Sequence, residues 1–307
     1  MPAVAGALAP IFLLILFGQA LRRRGLVPEA FWPAADRLTY RLFFPCLIVD
    51  ELSRADLGAA MGPMAAAMAA GVLAAAGLML AGRRLTGLDG PAFTSVFQGA
   101  VRPNTYVGLA GAKALHGSAG LALTAVGIAV VVPLVNVLCV VVMARFGRDG
   151  RGATARTVLG SLAGNPILLA AAAGAALNLG GIGRPPLVGD VVEILARAAL
   201  PIGLLSVGAG LDLAAARQAG AAVALSALLK LLLVPAVTAL AGTALGVDGL
   251  TLTVAVLFNA LPCSASAYAL ARQMGGDHGL VAGIITVQTL AAAVSLPLVL
   301  SACAVLG

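Results

Sequence analysis

Charge is what this sequence has least of. Asp, Glu, Lys and Arg together supply 10% of its 307 residues, hydrophobic residues supply 61%, and the mean hydropathy is +1.05. No water-soluble globular domain sustains that balance, which leaves too little polar surface to cover a core. The chain therefore reads as an all-α, multi-pass membrane protein with no loop long enough for a separate soluble domain. Histidine occurs only at His116 and His278, and cysteine only at Cys46, Cys139, Cys263 and Cys303, which lie in apolar segments at unrelated spacings. Neither a disulfide framework nor a metal cluster fits, and no cofactor is expected. HExxH is absent, as are a GxSxG with a base to serve it and a pair of acids at matching depth, so the chain is not read as an enzyme. The net charge of +7 does not indicate nucleic acid, because the basic residues fall in short clusters between apolar spans.

What is abundant is apolar sequence in runs of roughly 20 residues, the length that one bilayer crossing requires, and about ten such spans fit. The first run, Ala3 to Leu21, has three arginines after it and none before it. That order is wrong for a cleaved signal peptide and right for a first span entered from outside. Odd-numbered loops placed in the cytoplasm collect Arg22, Arg23, Arg24, Arg83, Arg84, Arg145, Arg148, Arg151, Arg156, Arg217 and Arg272. Arg54, Lys113 and Arg184 remain outside, so both termini are expected there.

Two stretches depart from the apolar pattern. In FQGAVRPNTYVGL, Phe97 to Leu109, the middle of a span carries Arg102, Pro103 and Asn104. Proline has no N–H to donate, and its ring clashes with the carbonyl four residues back, so the helix is expected to open and leave backbone groups free. LFNALPCSASAYAL, Leu257 to Leu270, repeats the design around Pro262. Asn104, Thr105 and Tyr106 follow the first break, Asn259 precedes the second, and Cys263, Ser264 and Ser266 follow it. Each chain re-enters a helix whose first N–H groups are unpaired and favour an anion. The bland alternative is that these side chains only satisfy backbone freed by the prolines.

Within spans 3 to 5 and 8 to 10 the deep charges are Arg102 and Lys230, both positive, with no acid at comparable depth. Ionisable groups in lipid are costly and are functional candidates, so the missing partner reads as an anionic ligand. The competing reading has Lys230 snorkelling or bonded to carbonyls and Arg102 bracing the opened helix. The same inventory argues against a carboxylate-based proton or sodium exchanger and leaves sodium held by carbonyls open. Asn136 and Gln288 are candidate site residues from spans 5 and 10, with an interhelical bond as the alternative for each. Glu193 and Arg197, at i, i+4 spacing, read as a local ion pair.

The two halves repeat. An offset of 156 residues pairs Pro10 with Pro166, Gly25 with Gly181, Arg41 with Arg197, Pro45 with Pro201 and Asp56 with Asp212; from Gly87 an offset of 159 pairs Asp89 with Asp248 and Pro103 with Pro262. Five spans per repeat is an odd number, so the halves should be inverted, with a site at their interface near midplane. The repeats are placed at residues 1–144 and 158–307, joined by a basic cytoplasmic linker at 145–157. This reading makes the chain a membrane transporter; a channel, which needs a continuous polar lining that alanine-rich spans do not offer, or a receptor is the alternative.

FQGAVRPNTYVGLAGA, VVPLVNVL, GNPILLAAAAGAALN and LPCSASAYALARQMGGD resemble motifs of the auxin efflux carrier family, and the resemblance covers nearly the whole chain. It implies ten helices in two inverted five-helix repeats with crossing helices 4 and 9, similar to the plant PIN carriers and more distantly to bile acid sodium symporters. Spans 1, 2, 6 and 7 would form a scaffold, often dimeric, and spans 3 to 5 and 8 to 10 a moving transport domain. Pro103 and Pro262 would be the crossover prolines, with Asn104 and Asn136 in the substrate site. The long cytoplasmic loop of many plant carriers is absent. The resemblance thus points to a bacterial inner-membrane member working on malonate or other small carboxylates by elevator-like alternating access, with a sodium-coupled symporter as the alternative.

Overall fold

The structure, a computed structural model, describes residues 2–55, 61–148, 160, 163–218 and 220–303. Asp56, Arg151, Arg156, most of the basic linker and the start of the sixth span near Val158 lie outside these residues. The described chain is helical throughout, as a backbone in lipid must be when no water satisfies its N–H and C=O groups. Extended pairing among the described residues is confined to one isolated bridge.

Helices α1 (Pro2–Arg23), α2 (Phe31–Leu38), α3 (Phe44–Ser53), α4 (Met61–Ala81), α5 (Gly90–Val101), α6 (Thr105–Phe146) and α7 (Pro166–Leu179) come first. They are followed by α8 (Val188–Ala209), α9 (Leu213–Arg217), α10 (Ala221–Leu228), α11 (Val234–Ala244), α12 (Gly249–Asn259), α13 (Ser266–Gln273) and α14 (His278–Cys303). Among the described residues six helical rods, α1, α4, α6, α8, α10 with α11, and α14, are long and apolar enough to cross a membrane. Helices α7 and α12 are shorter apolar rods. The 42-residue α6 is interrupted at Gly117, whose φ of 60° and ψ of −142° belong to no helix, so it comprises two rods, 105–116 and 118–146. The left-handed φ explains glycine at that corner.

Two π turns, Thr39–Phe43 and Leu229–Leu233, join α2 to α3 and α10 to α11. Each ends just before Pro45 or Pro235, and the N–H of the intervening residue reaches back five positions, Phe44 to Thr39 and Val234 to Leu229. A proline ring displaces the carbonyl four residues earlier, and widening the turn absorbs that clash without breaking the rod. The second π turn carries Lys230.

Close packing joins the helices at several seams. Helix α1 lies on α8 in backbone contact: a Cβ added at Gly18 would fall 2.1 Å from the Leu205 carbonyl oxygen, and one at Gly208 would fall 1.7 Å from that of Ile15. Small residues allow such approach where lipid gives helices no hydrophobic drive to associate. Helix α3 packs between α7 and α8, while α4 packs on α11 and α12. Phe93, Phe97, Phe258, Met64 and Met68 are fully buried. Leu13, Phe17, Leu169 and Ile194 face outward, as a lipid-facing surface requires. Arg197 pairs with Glu193 at 2.6 Å, the local ion pair that the spacing predicts, and Arg184 joins Glu193 from the preceding loop at 2.6 Å.

Candidate functional site

Helix α5 starts from Asp89, whose carboxylate accepts from the Ala92 N–H at 2.8 Å, and runs through buried residues to Val101. There it must stop, because Pro103 cannot donate to the Gly99 carbonyl and its ring would strike it. Arg102 (φ −84°, ψ 114°) and Asn104 (φ −83°, ψ 99°) are extended, and α6 begins afresh at Thr105. At the second break α12 ends at Asn259, and the chain runs through Pro262 before α13 starts at Ser266. The breaks cross in contact: an antiparallel bridge pairs Pro103 with Cys263, and the Asn104 N–H donates to the Pro262 carbonyl at 2.8 Å.

The backbone groups freed by the prolines have identifiable partners. Gln288 of α14 accepts from the Cys263 N–H at 2.8 Å, while its own amide donates to the Gly99 carbonyl at 3.1 Å and to the Ser226 hydroxyl at 3.0 Å. One side chain thus joins both breaks and α10. An unbroken helix would have sent the Cys263 N–H to the Asn259 carbonyl. That carbonyl instead accepts from the Lys230 Nζ at 2.7 Å, and the lysine is wholly buried. The Asn259 amide donates to the Met68 carbonyl at 2.9 Å and to the Thr238 hydroxyl at 2.6 Å.

Other polar atoms at the crossing are left over. Arg102, 8% exposed, donates from one terminal nitrogen to the Asn136 side-chain oxygen at 2.7 Å, and its other terminal nitrogen is buried without a partner. The Asn104 side-chain oxygen caps α6, accepting from Tyr106 and Val107 N–H groups at 3.2 and 3.3 Å, but its NH2 is buried and unpartnered. Both polar side-chain atoms of Gln98 are in the same condition. Buried polar groups are seldom left unpaired. Buried polar atoms of Trp32, Thr39 and Ser206, among others, also lack partners; those of Arg102, Asn104 and, one helical turn before, Gln98 stand together and make the crossing the candidate site.

The sequence-chosen residues do not all converge. Arg102, Pro103, Asn104, Asn136, Pro262, Cys263 and Gln288 meet at the crossing. Lys230 and Asn259 sit at the end of α12, with the lysine turned to backbone, as one of the two sequence readings had it. Tyr106 points away, its ring edge-on to Phe44 at 4.6 Å and lying over Gly203 of α8. It therefore joins α6 to the neighbouring helices. Thr105 is half-buried. Ser264 and Ser266 lie at the start of α13 with hydroxyl oxygens 3.0 Å apart. Gln98, Ser226 and Thr238 were not singled out from sequence; Gln98 was findable, standing one helical turn before Arg102 in the same motif.

A cleft of about 400 Å³ opens elsewhere, lined by Glu51, Arg54, Met61, Ser118 and Ala122 among others. Its walls include none of the residues at the breaks. The orphaned polar atoms, rather than open volume, mark the crossing as the candidate site.

Comparison with known proteins agrees in kind. A family described as membrane transport protein matches residues 3–300. An uncharacterized transporter from Methanothermobacter thermautotrophicus is 27% identical over 292 residues, which span 94% of each chain.

Proposed function

Because this chain belongs to the membrane transport protein family that includes the auxin efflux carriers, we propose that it is a secondary carrier of small organic anions, malonate-like carboxylates above all. The single observation that carries the reading is the Arg102 guanidinium, buried beside the crossing with one nitrogen unpartnered. A carboxylate is the geometric complement of a guanidinium fork. The N-terminal ends of α6 and α13, each starting within four residues of its proline, would add their positive dipole ends to the site. Asn104 and Asn136 would complete the contacts, with Thr105, Ser264 and Ser266 at the rim and Pro103, Pro262, Cys263 and Gln288 holding the breaks open. Lys230 and Asn259 would keep the potential positive from behind, and Tyr106 would serve the sliding surface against α3 and α8.

The architecture proposed for this task is ten spans in two inverted repeats, 1–144 and 158–307, about the linker at 145–157. Backbone conformation supports it: the sequence-matched glycines Gly25 and Gly181 have φ of 62° and 67°, and Gly87 and Gly246 have φ of 64° and 73°. Spans 1, 2, 6 and 7 would be a scaffold, able to pair as a homodimer, against which the other six move as an elevator. Both termini would face outward from a bacterial inner membrane.

Purified protein in liposomes tests the proposal. Labelled malonate should show saturable counterflow, which a channel or receptor does not give. Arg102→Ala should raise the apparent KM at least tenfold, in keeping with the roughly 1.5–3 kcal/mol typical of a hydrogen bond to a charged group. Unchanged affinity in that variant would remove the site from consideration.

A further inference from the structure

The end of the molecule that the proposed topology turns to the cytoplasm gathers positive charge and leaves it unanswered. Arg83, in the short helical turn Arg83–Leu85 after α4, stacks its guanidinium over the Phe146 ring at 4.1 Å and the Phe93 ring at 5.5 Å. Its Nε is buried without a hydrogen bond, so the rings rather than a polar partner hold it in place. Arg145 approaches the same Phe146 ring at 5.9 Å, and Arg84, next to Arg83 in the turn, is exposed. None of the three has an acidic partner among the described residues. The acids at this end, Asp89, Asp212 and Asp277, each accept from backbone N–H groups at the start of a helix, at 2.8 to 3.0 Å, so their charge is already committed. A guanidinium stacked by its face keeps its N–H edge free, and that fork matches a phosphate. Two guanidinia around one ring repel each other until an anion joins them.

What that anion is attached to follows from the neighbouring surface. An apolar groove of about 350 Å³ lies between the last turn of α4 and the α10 rod, with Leu78, Met79 and Leu85 on one side and Leu225 and Leu229 on the other. The Thr86 hydroxyl at its edge donates to the Arg83 carbonyl at 2.7 Å. Leu85 is 91% exposed, and Leu78 and Leu228 are also exposed, so the groove opens on the face that lipid covers. One three-residue turn thus gives Arg83 to the ring cluster and Leu85 to the groove. We propose that the inner end of α4 is a binding site for an anionic phospholipid, with an acyl chain in the groove and the phosphate on Arg83, Arg84 and Arg145. Basic residues at the cytoplasmic ends of membrane helices attract anionic headgroups, and basic pockets between helices hold them. A soluble phosphate would meet the arginines but has no use for the groove, whereas a zwitterionic lipid would fill the groove but brings a second positive charge to a positive surface. The lipid joins α4, α5, α6 and α10 at one end, all within the spans proposed to move, and so tightens that unit. The inference goes beyond the carrier proposal and takes from it only the orientation; its measurements do not depend on any substrate being carried.

The experiment melts the full chain, purified in detergent, with dioleoylphosphatidylglycerol, with dioleoylphosphatidylcholine and with glycerol phosphate, each added alone. The parent should melt several degrees higher with phosphatidylglycerol than with phosphatidylcholine, and glycerol phosphate should add nothing. Arg83→Gln combined with Arg145→Gln should erase the difference between the two lipids. Each variant is compared with itself across the additives, so a lower starting stability does not disturb the reading. Arg145→Gln alone, at an exposed position, should shrink the difference and gives the answer if the double variant does not fold. Leu225→Trp, which fills the groove and leaves the arginines in place, should erase the difference as well. Equal gains from the two lipids in the parent would overturn the proposal, as would a difference that survives loss of the arginines or filling of the groove. A gain from glycerol phosphate equal to that from phosphatidylglycerol would also overturn it, by showing a site for a soluble phosphate.

Discussion

At the first break the new helix is capped by a residue of the break itself, and the carbonyl that Pro103 frees, Gly99, is met by Gln288. Asn104 caps α6 with its own side chain, and its N–H finds the Pro262 carbonyl across the crossing. At the second break α13 starts from Ala265 with no side-chain cap, and repair comes from far along the chain: Gln288 takes the Cys263 N–H and Lys230 takes the Asn259 carbonyl. The first break supplies its own helix cap and the second has none, so the second leans wholly on Gln288 and Lys230, while Gln288 also takes the Gly99 carbonyl at the first. The two should therefore fail differently when their partners are removed.

The largest effect should come from Gln288→Leu. That change leaves the Cys263 N–H, the Gly99 carbonyl and the Ser226 hydroxyl without their partner at a fully buried position. With about 1–3 kcal/mol for each of the three buried groups left unsatisfied, the loss is on the order of 3–9 kcal/mol, enough to threaten folding. A thermal melt of the purified protein measures it. Gln288→Glu is the sharper variant, since it keeps the acceptor oxygen for Cys263 and replaces the NH2 that reaches Gly99 and Ser226. Its melting temperature should fall between those of the parent and Gln288→Leu. Indifference to both changes would mean that the second break does not need its remote partner.

This contrast also explains what the sequence could disclose. The breaks were legible because proline in the middle of an apolar span has local consequences, and Arg102 was legible because a guanidinium in lipid has few excuses. Glu193 and Arg197 were readable from i, i+4 spacing alone. The role of Gln288 was not readable: a single amide in a membrane helix looks the same whether it bonds to a neighbouring helix or lines a cavity, and 25 residues separate it from Cys263. Lys230 had the opposite difficulty. Its charge was conspicuous, but the direction of the side chain is set by a π turn, which depends on Pro235 and the packing of two helices. Gln98 carries no charge, and its place one turn before Arg102 does not by itself show that the fold leaves both of its polar atoms without partners.

An intermediate effect is expected at the first break, and it has two separable parts. Asn104→Ala removes the α6 cap and should cost about 1 kcal/mol of stability, as N-cap deletions do. Asn104→Asp retains a cap acceptor and adds a negative charge at a helix N-terminus, so stability should stay near that of the parent. The same charge stands two residues from Arg102 and competes with an anionic substrate for it. Malonate uptake should then fall at least tenfold in Asn104→Asp while the melt is preserved. If Asn104→Asp transports normally, the first break is only a cap.

The smallest stability effect should come from replacing both Ser264 and Ser266 with alanine. Their hydroxyls bond to each other and Ser264 receives a long 3.4 Å contact from the Ser266 N–H, so neither provides the cap that Asn104 provides at α6. Because the second break is held by Gln288 and Lys230, the double variant should melt within about 0.5 kcal/mol of the parent, the usual range for substitutions away from structural features. Both residues sit where α13 opens toward the crossing, so the apparent KM for malonate should rise about threefold at unchanged maximal rate. A large drop in melting temperature would show that the second break also relies on adjacent residues, and the distinction between a locally repaired break and a remotely held one would then disappear.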